Sequence, residues 1–84
     1  MFFSYTSLFE KSFSKFSKKE KMKYDARMSI FIHDEFNPIL NNHKLHAEYD
    51  GYRSINITGD IRLIYQKTGK DIYLFYDIGT HTQL

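Results

Sequence analysis

The second half of the sequence carries the residue types that metal-free phosphodiester chemistry uses. Four histidines occur, His33, His43, His46 and His81, with Asp60 and Arg62 lying between the last two. An imidazole titrates near neutrality, so one ring can take the proton of a ribose 2′-hydroxyl while another protonates the leaving 5′-oxygen. A guanidinium fixed beside them would stabilise the phosphorane-like transition state. The histidines lack metal-site spacing: His43 and His46 stand at i, i+3 in an expected loop. No metal and no cofactor are implied. A lone histidine is more often structural or incidental than catalytic, so the functional reading requires His43, Asp60, Arg62 and His81 to meet in one place.

A second feature is a basic run. Lys15, Lys18, Lys19, Lys21 and Lys23 crowd together, Arg27 follows, and only Glu20 and Asp25 interrupt. Such a local excess attracts phosphates through counterion release; the bland alternative is a solvated helix face. Composition bounds the rest. With 84 residues the chain has room for one domain, residues 1–84. Aromatic residues make up 18%, eight Phe and seven Tyr, which lets so short a chain build a core from large rings. The absence of cysteine excludes disulfide scaffolds, thiolate zinc sites and cysteine nucleophiles, and fits a reducing cytoplasm. Met1–Phe9 lacks the charge and the unbroken apolar run of a signal peptide, and no stretch is long and apolar enough to span a membrane.

The elements that must position these groups can be read from periodicity. Met1–Tyr5 reads as a first strand. Ser7-Leu-Phe-Glu10 has capping-box spacing and opens a helix carrying Phe9, Phe13 and Phe16. Ser17-Lys-Lys-Glu20 repeats the signal for a second helix, running to about His33. Its apolar stripe is expected on Met22, Ala26, Ile30 and Phe31, widened by Tyr24 and Met28. Asp34–Asn42 reads as a loop. Strands are expected over residues 52–58, 61–67 and 72–78, joined by tight turns at Thr58-Gly59-Asp60 and Thr68-Gly69-Lys70-Asp71. Strand, helical hairpin, then antiparallel meander predicts an α+β domain with its helices on one sheet face. The other face stays partly open for partners, and loop residues at the strand ends can converge on one sheet edge.

The wording of the second half adds a resemblance. Asn42-His-Lys-Leu-His46, Asp50-Gly-Tyr-Arg-Ser-Ile-Asn-Ile57, Gly59-Asp-Ile-Arg-Leu-Ile-Tyr65 and Asp77-Ile-Gly-Thr-His81 look like the C-terminal half of RelE/YafQ-type toxins. These are ribosome-dependent mRNA interferases of bacterial type II toxin–antitoxin modules, with a RelE/ParE-like fold. The motifs cover about residues 42–84; the helical hairpin matches in layout. The resemblance implies that His43 takes part in catalysis, that Asp60 is the acidic residue at the turn, that His81 is the favoured general acid and that Arg62 contacts the scissile phosphate. Arg53 matches the arginine of the family's "GYR" element, where an RNA contact and a structural pairing with a carboxylate such as Asp77 are equally open.

Three positions depart from the pattern. Asn56 replaces a histidine; it can bind RNA but cannot transfer a proton at neutral pH. Asp77 stands where some relatives have arginine. The chain stops at Leu84, where relatives carry an aromatic residue that positions the substrate; Tyr52 is a candidate to supply that ring. The resemblance further implies an endoribonuclease acting on mRNA in the ribosomal A site. The Lys15–Lys23 face would dock on ribosomal RNA, and a cognate antitoxin would wrap the exposed helices and sheet edge. The alternatives are a ParE-like gyrase-inhibiting toxin and a degenerate toxin that only binds its antitoxin.

Overall fold

Residues 1–82 and 84 are described by the structure, a computed structural model. Strand β1, Phe2–Tyr5, leads into helix α1, Ser7–Ser14. The cap of α1 is Thr6 rather than the expected Ser7: its hydroxyl accepts from the Phe9 amide at 3.0 Å. The same hydroxyl donates to the Tyr76 carbonyl, and this tie across the fold fixes where the helix begins. Helix α2 spans Lys18–His33 and starts where the sequence predicts it. Both arms of its capping box are formed, with the Glu20 amide donating to Ser17 Oγ at 3.2 Å and the Ser17 amide donating to Glu20 Oε1 at 2.8 Å.

The buried stripe of α2 differs from the expected one. Tyr24, Met28 and Phe31, at i, i+4 and i+7, face the sheet, whereas Met22 is 62% exposed and Ala26 is also exposed. Helical spacing allows either stripe; burying two large rings removes more apolar surface from water, and the sheet selects that one.

The sheet has five strands in the order β1-β5-β4-β3-β2. Strand β3 is Arg53–Asn56, β4 is Ile61–Gly69 and β5 is Ile72–Thr80. The antiparallel meander is therefore present, with β4 and β5 each two residues longer than expected, because ladder pairing carries the strands past the apolar runs. Two features were not legible locally. His43–Lys44, expected within a loop, pairs with β3 as the edge strand β2. Strand β1 lies parallel to β5, so the first strand borders the last. Within the expected loop 34–42, Pro38–Leu40 forms a 3₁₀ turn that buries Leu40.

The core sits between helices and sheet. Phe31 packs edge-on against Tyr65, Tyr73 and Phe75 with ring centroids 5.2, 5.5 and 6.2 Å away, and Phe9 reaches Phe75 at 5.8 Å. A polar network seals its end. Glu35 accepts from the hydroxyls of Tyr65 and Tyr73, and Asn42 donates to the Tyr65 hydroxyl and the Glu35 carbonyl. Burial, then the bond to Glu35, pushes the Tyr65 phenol well above its ordinary range; burial does the same to Tyr24.

Candidate active cleft

Strand alternation sorts the meander into two faces. Ile55, Leu63 and Tyr65 point to the helices and are fully buried. Their neighbours Ser54, Asn56, Arg62 and Ile64 therefore belong to the opposite face, which no helix covers. In register, His43 of β2 lies opposite Ser54, Ser54 opposite Ile64, and Asn56 opposite Arg62. A cleft of about 310 Å³ opens on this face. Ser54, Ile64 and Leu45 line it together with Tyr49, and His43, Arg62 and His81 all border it.

Main-chain atoms tie each of these residues in place. His43 Nδ1 lies 2.9 Å from the Asn41 carbonyl. A carbonyl oxygen can only accept, so this contact selects the Nδ1–H tautomer and leaves Nε2 as the proton acceptor. Asn41 turns the chain into β2 from a left-handed backbone conformation, φ 48°. Arg62 Nη1 donates to the carbonyls of Gly59 at 2.9 Å and Thr58 at 3.3 Å, which pins the guanidinium to the β3–β4 turn. Thr58 Oγ1 braces that turn by accepting from the amides of Asp60 and Ile61. The His81 amide donates to the Asp60 carbonyl at 2.8 Å, which fixes the end of β5 beside the same turn.

Three of the four expected catalytic residues thus share one cleft. Asp60 is the exception: it is exposed on the turn, joins the site through its main chain, and its side chain does not line the cleft. Asn56 stands next to Arg62 in register, with its Oδ1 buried and without a hydrogen-bond partner among the described residues. Arg53 lies elsewhere. It points to the helix side of β3, where Nε donates to Asn42 Oδ1 at 2.7 Å and the guanidinium lies over the Phe36 ring at 5.1 Å. Its expected carboxylate Asp77 instead accepts from Ser12 Oγ and from the Ile78 amide, each at 2.8 Å.

The basic run is not one face either, because a helix turns 100° per residue. Lys15 borders a groove with Ser12, Glu20 and Asp77. Lys21 lies over the Phe13 ring, and Lys23 and Arg27 flank Ile57, Thr58 and Gly59 of the β3–β4 turn. Lys18 and Lys19 are simply exposed. Among the described residues no three His, Asp or Glu side chains are grouped to hold a metal ion, and no helix is long and apolar enough to cross a membrane.

Two lining features escaped the sequence reading. Ser54 forms part of the cleft wall, and Tyr49 joins Tyr52 and Tyr76 in a ring cluster at its side. The spacing Tyr49-Asp-Gly-Tyr52, a glycine turn flanked by rings, was the available signal for the cluster.

Residues 1–84 match the family model described as the bacterial toxin of type II toxin-antitoxin system, YafQ. The chain belongs to the YafQ toxin family. Two solved structures are similar over nearly the whole length. YafQ from E. coli strain BL21(DE3) is 25% identical, with a TM-score of 0.81 over 96% of this chain and 93% of that one. YafQ in the E. coli DinJ-YafQ toxin-antitoxin complex is 26% identical, with a TM-score of 0.79 over 98% and 93%. A YoeB/ParE toxin from Agrobacterium tumefaciens shares the fold at 16% identity and a TM-score of 0.79, covering 96% of this chain and 99% of that one. Comparison with curated protein sequences gives no significant match. As a YafQ-family member the chain is a toxin of the type II toxin–antitoxin class, and its α+β architecture is that of the RelE/YafQ toxins.

Proposed function

We propose that this YafQ-family toxin is a ribosome-dependent endoribonuclease, a single toxin domain working in the cytoplasm. One observation carries the reading: His43, Arg62 and His81, far apart in sequence, border a single open cleft. His43 Nε2, the acceptor nitrogen of the neutral ring when Nδ1–H donates to Asn41, takes the proton of a ribose 2′-hydroxyl. The 2′-oxygen attacks the adjacent phosphorus, and Arg62 stabilises the charge that builds on the phosphorane. His81 protonates the departing 5′-oxygen. The products are a 2′,3′-cyclic phosphate and a 5′-hydroxyl. Asp60, the other base that the resemblance offers, reaches this site only through its main chain, which favours His43 in that role.

The mRNA would be presented in the ribosomal A site. Lys18, Lys19, Lys23 and Arg27, which remain exposed or border the β3–β4 turn, would bind ribosomal RNA, with Lys15 at the end of α1 and Lys21 beside Phe13 adding charge. A cognate antitoxin, as in the DinJ-YafQ complex, would silence the toxin by covering its exposed apolar groups, among them Phe2, Leu8, Met22, Ile32 and Phe36. Induced expression followed by mapping of mRNA ends tests the nuclease reading. Codon-spaced cuts that disappear with His81→Ala support it. Growth arrest with intact mRNA and damaged DNA would replace it with gyrase inhibition.

A further inference from the structure

We propose that Tyr49, Tyr52 and Tyr76 form a stacking platform that holds unpaired RNA bases next to the cleft. The proposal deepens the nuclease reading and rests on it for the identity of the ligand.

The three rings form a closed cluster on the uncovered face. Their centroids are 6.3 Å apart for Tyr49 and Tyr52, 6.2 Å for Tyr49 and Tyr76, and 5.2 Å for Tyr52 and Tyr76. They do not belong to the core: each ring is only partly buried, and none joins the hydrophobic cluster beneath the helices. Their hydroxyls have no hydrogen-bond partner among the described residues, in contrast to Tyr65 and Tyr73, whose hydroxyls are held by Glu35. Rings left partly exposed, with their hydroxyls unpaired, offer flat apolar faces to a ligand of the same character.

The backbone is shaped to present these rings. Residues 47–52 fold back on themselves, with the Tyr52 amide donating to the Tyr49 carbonyl and the Leu45 amide donating to the Tyr52 carbonyl. Ala47 at φ 58° and Gly51 at φ 89° make the two reversals. A left-handed alanine is strained, and strain of this kind persists where surrounding structure enforces it. Tyr76 is presented by a different device. Ile64 pairs with Asp77 but Tyr65 pairs with Phe75, so the register jumps and Tyr76 falls in a bulge of β5. Phe75 and Ile78 both reach the core, and Tyr76 between them turns to the open face.

Position links the platform to the chemistry. Tyr49 lines the cleft together with His43, Arg62 and His81. Tyr52 borders a second groove of about 270 Å³ that also carries Lys44, while the Lys67 ammonium at the same groove lies over the core ring of Tyr73 at 5.5 Å. A nucleotide strand crossing the cleft would meet rings for its bases and the Lys44 ammonium for a phosphate in succession. That pairing of stacking and charge characterises single-strand binding surfaces. Glu48, Asp50 and Asp77 near the rings disfavour phosphate there and leave the base faces as the contacting groups.

The test uses a four-nucleotide RNA blocked from cleavage by 2′-O-methylation, and the same backbone with abasic sites. Binding is read from the fluorescence anisotropy of a 5′-labelled oligonucleotide, because the chain has seven tyrosines and their emission is not specific to these three rings. The wild-type protein should bind the base-containing oligonucleotide roughly tenfold tighter than the abasic one. Tyr49→Leu and Tyr76→Leu should bring the ratio close to one, while Tyr49→Phe and Tyr76→Phe should retain it. The Phe variants keep the ring volume and serve as the folded reference. Equal binding of both oligonucleotides by wild type, a ratio untouched by Leu, or no binding of either one overturns the platform. The nuclease reading fails separately, through persistence of mRNA cuts with His81→Ala, a measurement that does not draw on the base-to-abasic ratio.

Discussion

The two faces of the central sheet are built from the same strands and treat their polar groups in opposite ways. Under the helices, Arg53, Asn42, Tyr65, Tyr73 and Glu35 bind one another, and their bonding capacity is largely spent. On the uncovered face, His43 and Arg62 are tethered to carbonyls of their own loops through one side only. The first arrangement lowers the energy of buried groups that would otherwise be unsatisfied. The second fixes direction while leaving atoms free to react. One face therefore keeps the chain folded and the other carries the proposed chemistry, so substitutions on the two should separate stability from activity.

The sharpest break is expected at His81. Replacement by alanine should lower cleavage by about 10²–10⁴-fold, the usual worth of a positioned acid, with the unfolding midpoint unchanged. A variant that loses both would place His81 among the folding residues. Phe31→Ala should do the reverse job on the covered face: Phe31 is 0% exposed and touches rings on three strands, so the loss should be about 3–5 kcal/mol of stability. Denaturant melts with a midpoint near wild type would contradict the interlocked core.

Glu35→Gln sharpens the role of the sealed network. It turns one acceptor toward Tyr65 or Tyr73 into a donor and should cost about 1–3 kcal/mol, without effect on oligonucleotide binding. A smaller effect belongs to pH. Tyr24 and Tyr65 have phenols raised above the ordinary value of 10.0, so the unfolded chain releases these protons first. Their contribution is complete below pH 10 and should be lost as pH rises beyond it, so stability falls on the alkaline side. Absorbance titration should show these two tyrosines ionising after the exposed ones. Smallest is Ser17→Ala, which should cost about 1 kcal/mol by removing the α2 cap, again without effect on cleavage.

Much of this division was legible before folding. The capping box at Ser17, the tight turns and the β-branched runs are local signals, and they locate α2 and the meander. The histidine, arginine and glycine motifs of residues 42–81 point to the correct family. The Arg53 contact was not legible, because strand alternation puts it on the helix side only once β3 and β4 are in register. Asp60 was assigned a place in the cleft from its position at a turn, and a turn does not fix which way a side chain leaves. The lysine run looked continuous because charge counting ignores helical rotation.

By itself the sequence determined the local elements, the class of fold and the residue types available for acid–base chemistry, since caps, turns and periodicity act over a few neighbours. Tertiary structure alone decided which stripe of α2 is buried, that β1 runs beside β5, that a bulge turns Tyr76 outward, and that three of the four chosen residues meet. Those outcomes depend on pairing register and ring packing between segments distant in the chain, and no window along the sequence contains both partners.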